Sequence, residues 1–466
     1  MADRKSLRDR LQAKAIQAPP VRRRSTSEDA VPSVTPARRP SGPNRSIEYH
    51  EIKGELHARL IDELNASGEL SLDDPQLKKR IDEFVRQVLE SEEIPLNEVE
   101  RTRIAADLRE ETLGTGPLAP LMADPAVTDI LVNRYDNVYV ERFGVLEETD
   151  IRFRDEEHLV RIIGRIASRV GRRIDTSSPM VDARLPDGSR VNATLPPVTI
   201  DGPTLSIRRF GRKRLTRSDL LRLGMFSEPM DHFLSTLVRH RQSLVVTGGT
   251  GSGKSTLLGA ISEAIPNHER IITIEDAAEL MLTQTHVIRM ETRASNSDGK
   301  GAITQRELVI NALRMRPDRI VMGEVRSGEA IDMLQAMNTG HDGSLTTIHA
   351  NSPRDAFARL ETMVMMAGMD LPSNAIREQA VAAIDYVVHV RRFEDGVRRI
   401  ERIAEVVGIE GQTPQLQDIF TFTPTSRSEN RIIGSFQGTG VVPRIVDELA
   451  GQGIKEIDRN WFGRRP

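Results

Sequence analysis

One eight-residue stretch, GGTGSGKS at positions 248–255, restricts the fold of this chain more closely than any other. The pattern G-x-x-x-x-G-K-[ST] works only between a strand and a helix. Its glycines let successive backbone N–H groups turn around phosphate oxygens, and the helix that follows aims the positive end of its dipole at them. Both flanks fit: 243–246 is a short apolar, β-prone run, and 255–265 carries apolar residues at helical spacing. The sequence therefore predicts a nucleoside-triphosphate site built on Gly248, Gly249, Thr250, Gly251, Ser252, Gly253, Lys254, Ser255 and Thr256. Lys254 would reach the β- and γ-phosphates as a point charge, and the Ser255 hydroxyl would be offered to Mg2+.

At 466 residues the chain exceeds what one hydrophobic core supports, so several folded units are expected. Residues 1–45 are rich in Pro, Ser and Arg and poor in apolar groups, which predicts a disordered basic tail. Such a tail suits an anionic surface as well as it suits a solvated linker. Residues 46–113 carry apolar positions at helical spacing in three groups (Ile52, Leu56, Leu60; Ile81, Phe84, Val85, Leu89; Ile104, Leu108) and read as amphipathic helices. A small α+β domain is expected over 114–213, with strands near 129–132, 137–141, 147–153, 191–195 and 204–208 and a helix at 156–170. A linker over 214–225 follows, the basic stretch 211–218 being a candidate hinge. From 226 to 466 strands alternate with helices, the signature of a mostly parallel sheet covered on both faces, ending in an antiparallel appendage. Beyond 427 only short elements are expected. The fold class is α/β.

Composition narrows the chemistry. With no cysteine the chain can hold no disulfide, thiolate nucleophile or cysteine-ligated zinc. A net charge of −3 argues against a nucleic-acid coat, and an aromatic content of 4% against base-stacking platforms, so no direct nucleic-acid partner is expected. No apolar run approaches membrane-spanning length and the charged N-terminus is no secretory signal, which leads to an expectation of a soluble, cytoplasmic protein.

In a nucleotide-binding α/β sheet, chemistry collects at the carboxyl ends of strands. RIITIED puts Glu275 and Asp276 at one such end, and RIVMGEVR puts Glu324 at another, behind Gly323. A carboxylate there can hold the water shell of Mg2+ or orient the attacking water, so Ser255, Glu275 and Glu324 are the metal-side candidates and Glu324 the first choice for water activation. The segment TGHDGSLTTIHANSP supplies His341 and His349, of which His349 stands at a strand end where it can contact a γ-phosphate.

Taken together and in this order, the motifs resemble those of the ATPases of type II secretion, type IV pili and type IV secretion. The loop matches their Walker A, ITIEDAAEL their Asp box, LRMRPDRIVMGEVRSGEA their Walker B and TGHDGSLTTIHANSP their His box. VDARLPDGSRVNATLPP at 181–197 and SIRRF at 206–210 look most like the CpaF/TadA-like, tight-adherence (Flp) pilus subgroup. Zero cysteines exclude the tetracysteine insert of classical extension motors, and AIREQAVAAI departs from the retraction motif after AIRE. The resemblance implies a RecA-like ATPase domain behind a smaller, PAS-like α+β domain, and a homo-hexamer that hydrolyses ATP with Mg2+. It further implies that the ring sits peripherally at the cytoplasmic face of the inner membrane and drives a platform protein that lifts pilin subunits. Arginines of the small domain would then neutralise phosphate charge; Arg184, Arg190, Arg208 and Arg209 lie in the matching segments, and Arg190 and Arg208 are favoured. A surface charge or an ordinary salt bridge is the plainer reading of each. An ATPase of a type IV conjugation or effector-secretion machine shares every motif, and a nucleic-acid motor or a non-catalytic scaffold are the alternatives from other classes.

Overall fold

The computed structural model describes residues 52–57, 59–60, 63, 75–91, 97–142, 144–209, 215–293, 295, 300–369, 371–428 and 431–463. The tail at 1–45, Phe210 of the SIRRF motif and 211–214 of the candidate hinge lie outside the described residues. The chain divides into two compact units, Met1–Arg209 and Phe210–Pro466.

In the first unit, residues 52–57, 59 and 60 are helical, followed by α1 (Pro75–Ser91) and α2 (Glu98–Leu113). Their apolar positions form one core of Ile52, Leu56, Leu60, Leu77, Ile81, Phe84, Val85, Leu89, Ile104 and Leu108, so the helical spacing in the sequence corresponds to a buried seam. A reciprocal cap starts α2: Asn97 accepts from the Glu100 N–H at 2.9 Å, and Glu100 accepts from the Asn97 N–H at 3.0 Å. Near the end of α2, Glu111 is buried between Lys53, at 3.0 Å, and His158. Burial pushes its carboxyl upward, but the His158 and Lys53 contacts carry it down to about 2.

After α3 (Ala119–Ala123) come β1 (Val127–Arg134), β2 (Asn137–Arg142), β3 (Val145–Glu148), α4 (Glu156–Arg169), β4 (Met180–Arg184), β5 (Arg190–Thr194) and β6 (Thr204–Arg208). The strands form one antiparallel sheet in the order β3-β2-β1-β6-β5-β4. Alternation decides its faces: Val191, Ala193, Leu205 and Ile207 are buried with Ile162, Ile163 and Ile166 of α4, while Arg190, Asn192, Ser206 and Arg208 are exposed. Strand β4 was not expected from the sequence, and the 147–153 run is a strand only as far as Glu148. Beyond that point Thr149 and Phe153 bond singly to the Val138 and Tyr135 carbonyls, leaving no continuous ladder.

The second unit begins with α5 (Arg217–Arg222) and α6 (Glu228–Arg239). Helix α5 lies inside the predicted linker, capped by Thr216 and Asp219 with Leu220 buried. Then follow β7 (Leu244–Thr247), α7 (Lys254–Ile261), β8 (Ile271–Glu275), β9 (Val287–Glu291), α8 (Gln305–Ala312), β10 (Arg319–Val325), α9 (Glu329–Asn338), β11 (Leu345–Ile348), α10 (Pro353–Met366) and α11 (Ser373–Ala383). Four strands and a helix complete it: β12 (Tyr386–Arg392), β13 (Arg398–Glu410), β14 (Thr413–Ser428), β15 (Arg431–Gly438) and α12 (Arg444–Gly451). The nine-stranded sheet runs β15-β14-β13-β12-β7-β11-β10-β8-β9. From β12 to β9 every pair is parallel, and from β12 through β15 every pair is antiparallel. One strand, β11, therefore separates loop-bearing β7 from acid-bearing β10, which is the RecA-like arrangement.

Successive residues of the central strands enter opposite cores. Leu244 and Val246 pack with Phe233, Leu234, Leu257 and Leu258, and Val245 packs with Ile331, Leu334, Leu360 and Ile376. Helices thus cover both faces, as uninterrupted apolar strands require. The long strand β14 was not expected from the sequence, whereas beyond 427 the elements are short: β15, α12 and a 3-10 turn at Arg459–Phe462. Among the described residues no helix is long and apolar enough to cross a membrane.

At the amino end of β10, Arg319 is fully buried, 2.5 Å from Glu269 and donating to the Gly343 carbonyl at 3.0 Å. Arg319→Ala leaves the buried Glu269 carboxylate with Arg241 alone, 3.3 Å from Oε1, and is expected to cost about 3 kcal/mol in a denaturant titration; a loss below about 1 kcal/mol would contradict this.

Candidate active site

Because β7, β10 and β11 run parallel, their carboxyl ends share one edge of the sheet, and each delivers a group there. Strand β7 hands the chain to the loop at Gly248. Gly253, at φ 96°, is the left-handed cap before α7, a conformation that suits glycine. The helix it opens points its free N–H groups into the loop, with Ser255 and Thr256 exposed on the first turn. Lys254 folds back so that its ammonium donates to the Gly249 carbonyl at 3.0 Å.

Strand β10 supplies Glu324 and the residue after β11 supplies His349. The His349 Nε2 lies 3.1 Å from Glu324 Oε1, and Lys254 Nζ is 3.3 Å from Nε2 and 3.4 Å from Nδ1. An ammonium set against both ring nitrogens disfavours a second positive charge on the imidazole. Burial, then Lys254, pushes its pKa below the ordinary value of 6.5. The other oxygen of Glu324 is taken by Arg326 at 2.9 Å, whose second nitrogen is 3.2 Å from Asp276 at the end of β8. Burial would raise the Glu324 carboxyl, but Arg326 foremost, then His349 and Lys254, hold it below the usual range. Desolvation lowers the Lys254 pKa, leaving a buried ammonium whose demand for negative charge Glu324 meets only in part.

The two candidate acids stand in different surroundings. Glu275 is 3% exposed, and its Oε2 accepts from the backbone N–H groups of Glu279 and Leu280, both at 2.8 Å. Half of that carboxylate is committed to the turn after β8, and burial raises its pKa. Gly323 makes room for it, since a Cβ there would stand 2.9 Å from Glu275 Cγ. His341 is not part of this edge: it precedes β11, and its ring lies 3.3 Å from the Ala336 carbonyl.

In the first unit, Arg190 is the register partner of both Arg184 and Arg208, which lines three arginines in one row across β4, β5 and β6. Arg209 faces elsewhere, donating to the carbonyls of Leu121, Asp124 and Val127. It fastens the segment before β1.

Sequence reasoning missed Arg326, although it stands two residues beyond Glu324, the spacing that puts side chains on one face of an extended chain. Thr347, which donates to the Gly323 carbonyl at 2.7 Å and ties β10 to β11, gave no signal beyond its place in the histidine segment. A nucleoside triphosphate with its metal fits these residues. Ser252 Oγ is buried in the loop without a hydrogen-bond partner, and the Lys254 ammonium is desolvated. Among the described residues no group of three His, Cys, Asp or Glu could hold a metal alone, so phosphate oxygens would complete the shell around Ser255.

The family model for type II/IV secretion system proteins matches residues 111–396, from the end of α2 to the turn after β12. The chain belongs to this family. A Mycobacterium tuberculosis relative, provisionally described as a conjugal transfer protein, is 39% identical over 320 residues, covering 67% of this chain and 90% of its own. The type IV secretion system protein VirB11 of Brucella suis biovar 1 is 34% identical over 318 residues, covering 62% and 88%. The crystal structure of the Brucella suis VirB11 ATPase with sulphate aligns over 62% of this chain and 95% of that one, at 32% identity and a TM-score of 0.34.

Two predictions follow from these secretion-family residues. The His349 ring should titrate below pH 6.5 in an NMR titration, and Glu324→Gln, which removes the charge that raises it, should lower the midpoint further. The unfolded chain then binds this proton first, so the stability His349 contributes is full above pH 6.5 and lost as pH falls through the folded pKa; a midpoint above 6.5 would refute the neutral ring. Glu275→Ala orphans the buried Leu280 N–H and the part-buried Glu279 N–H and should cost about 2 kcal/mol, whereas Glu275→Gln keeps an acceptor and most of the stability. Equal losses in the two variants would contradict the anchoring role.

Proposed function

We propose that this chain is a Mg2+-dependent ATPase that works as a homo-hexamer to power a type IV secretion machine of the conjugation or effector-export kind. The observation that carries the reading is the meeting of Lys254, His349 and Glu324 at the edge where the phosphate loop begins. Bound Mg2+ would draw electron density from the phosphate oxygens and so ease loss of the terminal phosphoryl group. The loop amides and Lys254 cradle the phosphates, Ser255 holds the metal side, and Glu324, ionised by its cationic neighbours, orients the attacking water. His349, neutral and within reach of both Lys254 and Glu324, registers the presence of the terminal phosphate. Glu275 supports the metal side through the turn it anchors. Arg190 and Arg208 are the proposed charge-neutralising arginines, as the family resemblance suggests.

The choice of machine is supported by the descriptions of the relatives, which speak of conjugal transfer and type IV secretion. Assembly of a tight-adherence pilus through a platform protein remains a second reading, favoured by the segments at 181–197 and 206–210. Either machine would place the ring at the cytoplasmic face of the inner membrane.

Glu324→Gln should retain ATP binding and lose about 10²- to 10⁴-fold in turnover, measured by steady-state hydrolysis with light scattering to count subunits. Unchanged turnover would end the assignment of Glu324. Deleting the gene should abolish DNA or effector transfer while surface pili persist; loss of pili alone would decide for the second reading.

A further inference from the structure

The phosphate loop is gripped from outside by a hairpin that the loop motif does not include. Strands β12 and β13 turn back on each other through residues 393–397, and three of their groups reach the loop. His389 Nδ1 lies 2.9 Å from Thr247 Oγ1, at the strand end from which the loop departs. The Val390 carbonyl passes so close to Gly248 that a Cβ there would stand 2.2 Å from its oxygen. Arg398 Nε donates to the Gly251 carbonyl at 2.9 Å, and its Cδ lies 3.2 Å from where a Gly253 Cβ would be.

We propose that Arg398 is a positioning residue for nucleotide binding, holding the Gly251 carbonyl on the hairpin side and so keeping its oxygen out of the phosphate cradle. A carbonyl oxygen turned toward a phosphate repels it. In a trans peptide the C=O and N–H point opposite ways, so the same hold keeps the Ser252 N–H on the inner side of the loop. There the Ser252 N–H makes a 3.3 Å bond to the Gly249 oxygen, which also receives Lys254 Nζ at 3.0 Å. Two donors converging on one carbonyl oxygen mark the place a phosphate oxygen takes over. The hold is a charge-assisted hydrogen bond, stronger than a bond between neutral groups. Arg398 acts through loop shape, so it governs affinity and not the chemical step. The inference rests on the loop being the nucleotide site, as proposed above.

The test uses the full chain, a fluorescent ADP analogue for Kd, and Mg2+-ATP for KM and kcat. Arg398→Gln should raise Kd and KM about ten-fold with kcat held within about two-fold, and Arg398→Lys, which keeps a charged donor, should recover much of the loss. The Tm of the nucleotide-free chain should stay unchanged while the rise on adding ADP shrinks. Wild-type affinity in Arg398→Gln, or a loss of kcat at unchanged Kd, would overturn the role of Arg398 alone. A wild-type chain that binds no nucleotide would overturn the reading of the loop and this inference with it.

Discussion

The carboxylate of Glu324 organises the working edge of the large sheet. One oxygen meets a neutral histidine and the other an arginine, which in turn reaches the acid at the end of the next strand. The parallel register makes this possible: Val325 of β10 pairs with Ile348 of β11, so Glu324 and His349 each lie one residue from the same paired position. Lys254 completes the set from β7's side of the same edge. Hydrogen bonds and ion pairs among these charges fix their positions, which is the condition for electrostatic stabilisation without reorganisation.

Much of this edge was legible in the sequence because phosphate chemistry demands fixed residue types at fixed spacing. A loop that bends around phosphates must be glycine-rich, and the strands flanking it are buried on both faces and so read as unbroken apolar runs. What the sequence could not separate were groups whose roles differ only by where the chain goes next. Glu275 and Glu324 both end apolar strands, yet one carboxylate folds into the following turn and the other faces Lys254 and His349. Arg208 and Arg209 are neighbours in sequence, but alternation along a strand leaves the first exposed and lets the second reach three backbone carbonyls. Neither distinction is a matter of composition.

One long strand was missed for a different reason. Strand β14 carries Pro414 and Pro424, and from Glu410 onward its neighbourhood is mostly exposed, so the alternation that marks a half-buried strand is lost. Its pairing partners lie in β13 and β15, and the ladder to them, not an intrinsic preference, holds it extended. The contact of Arg398 with Gly251 is hidden for a related reason, since 147 residues separate the two.

Arg319 anchors β10 at the end opposite Glu324, with its guanidinium shared between Glu269 and the Gly343 carbonyl just before β11. Both strands are therefore joined at their amino ends through Arg319 and near their carboxyl ends through Thr347, so they hold together as one unit along their length. An interior packed to crystal-like density has low compressibility and transmits strain. A displacement at the Glu324 end is thus passed to the helices packed on both faces and is not absorbed locally.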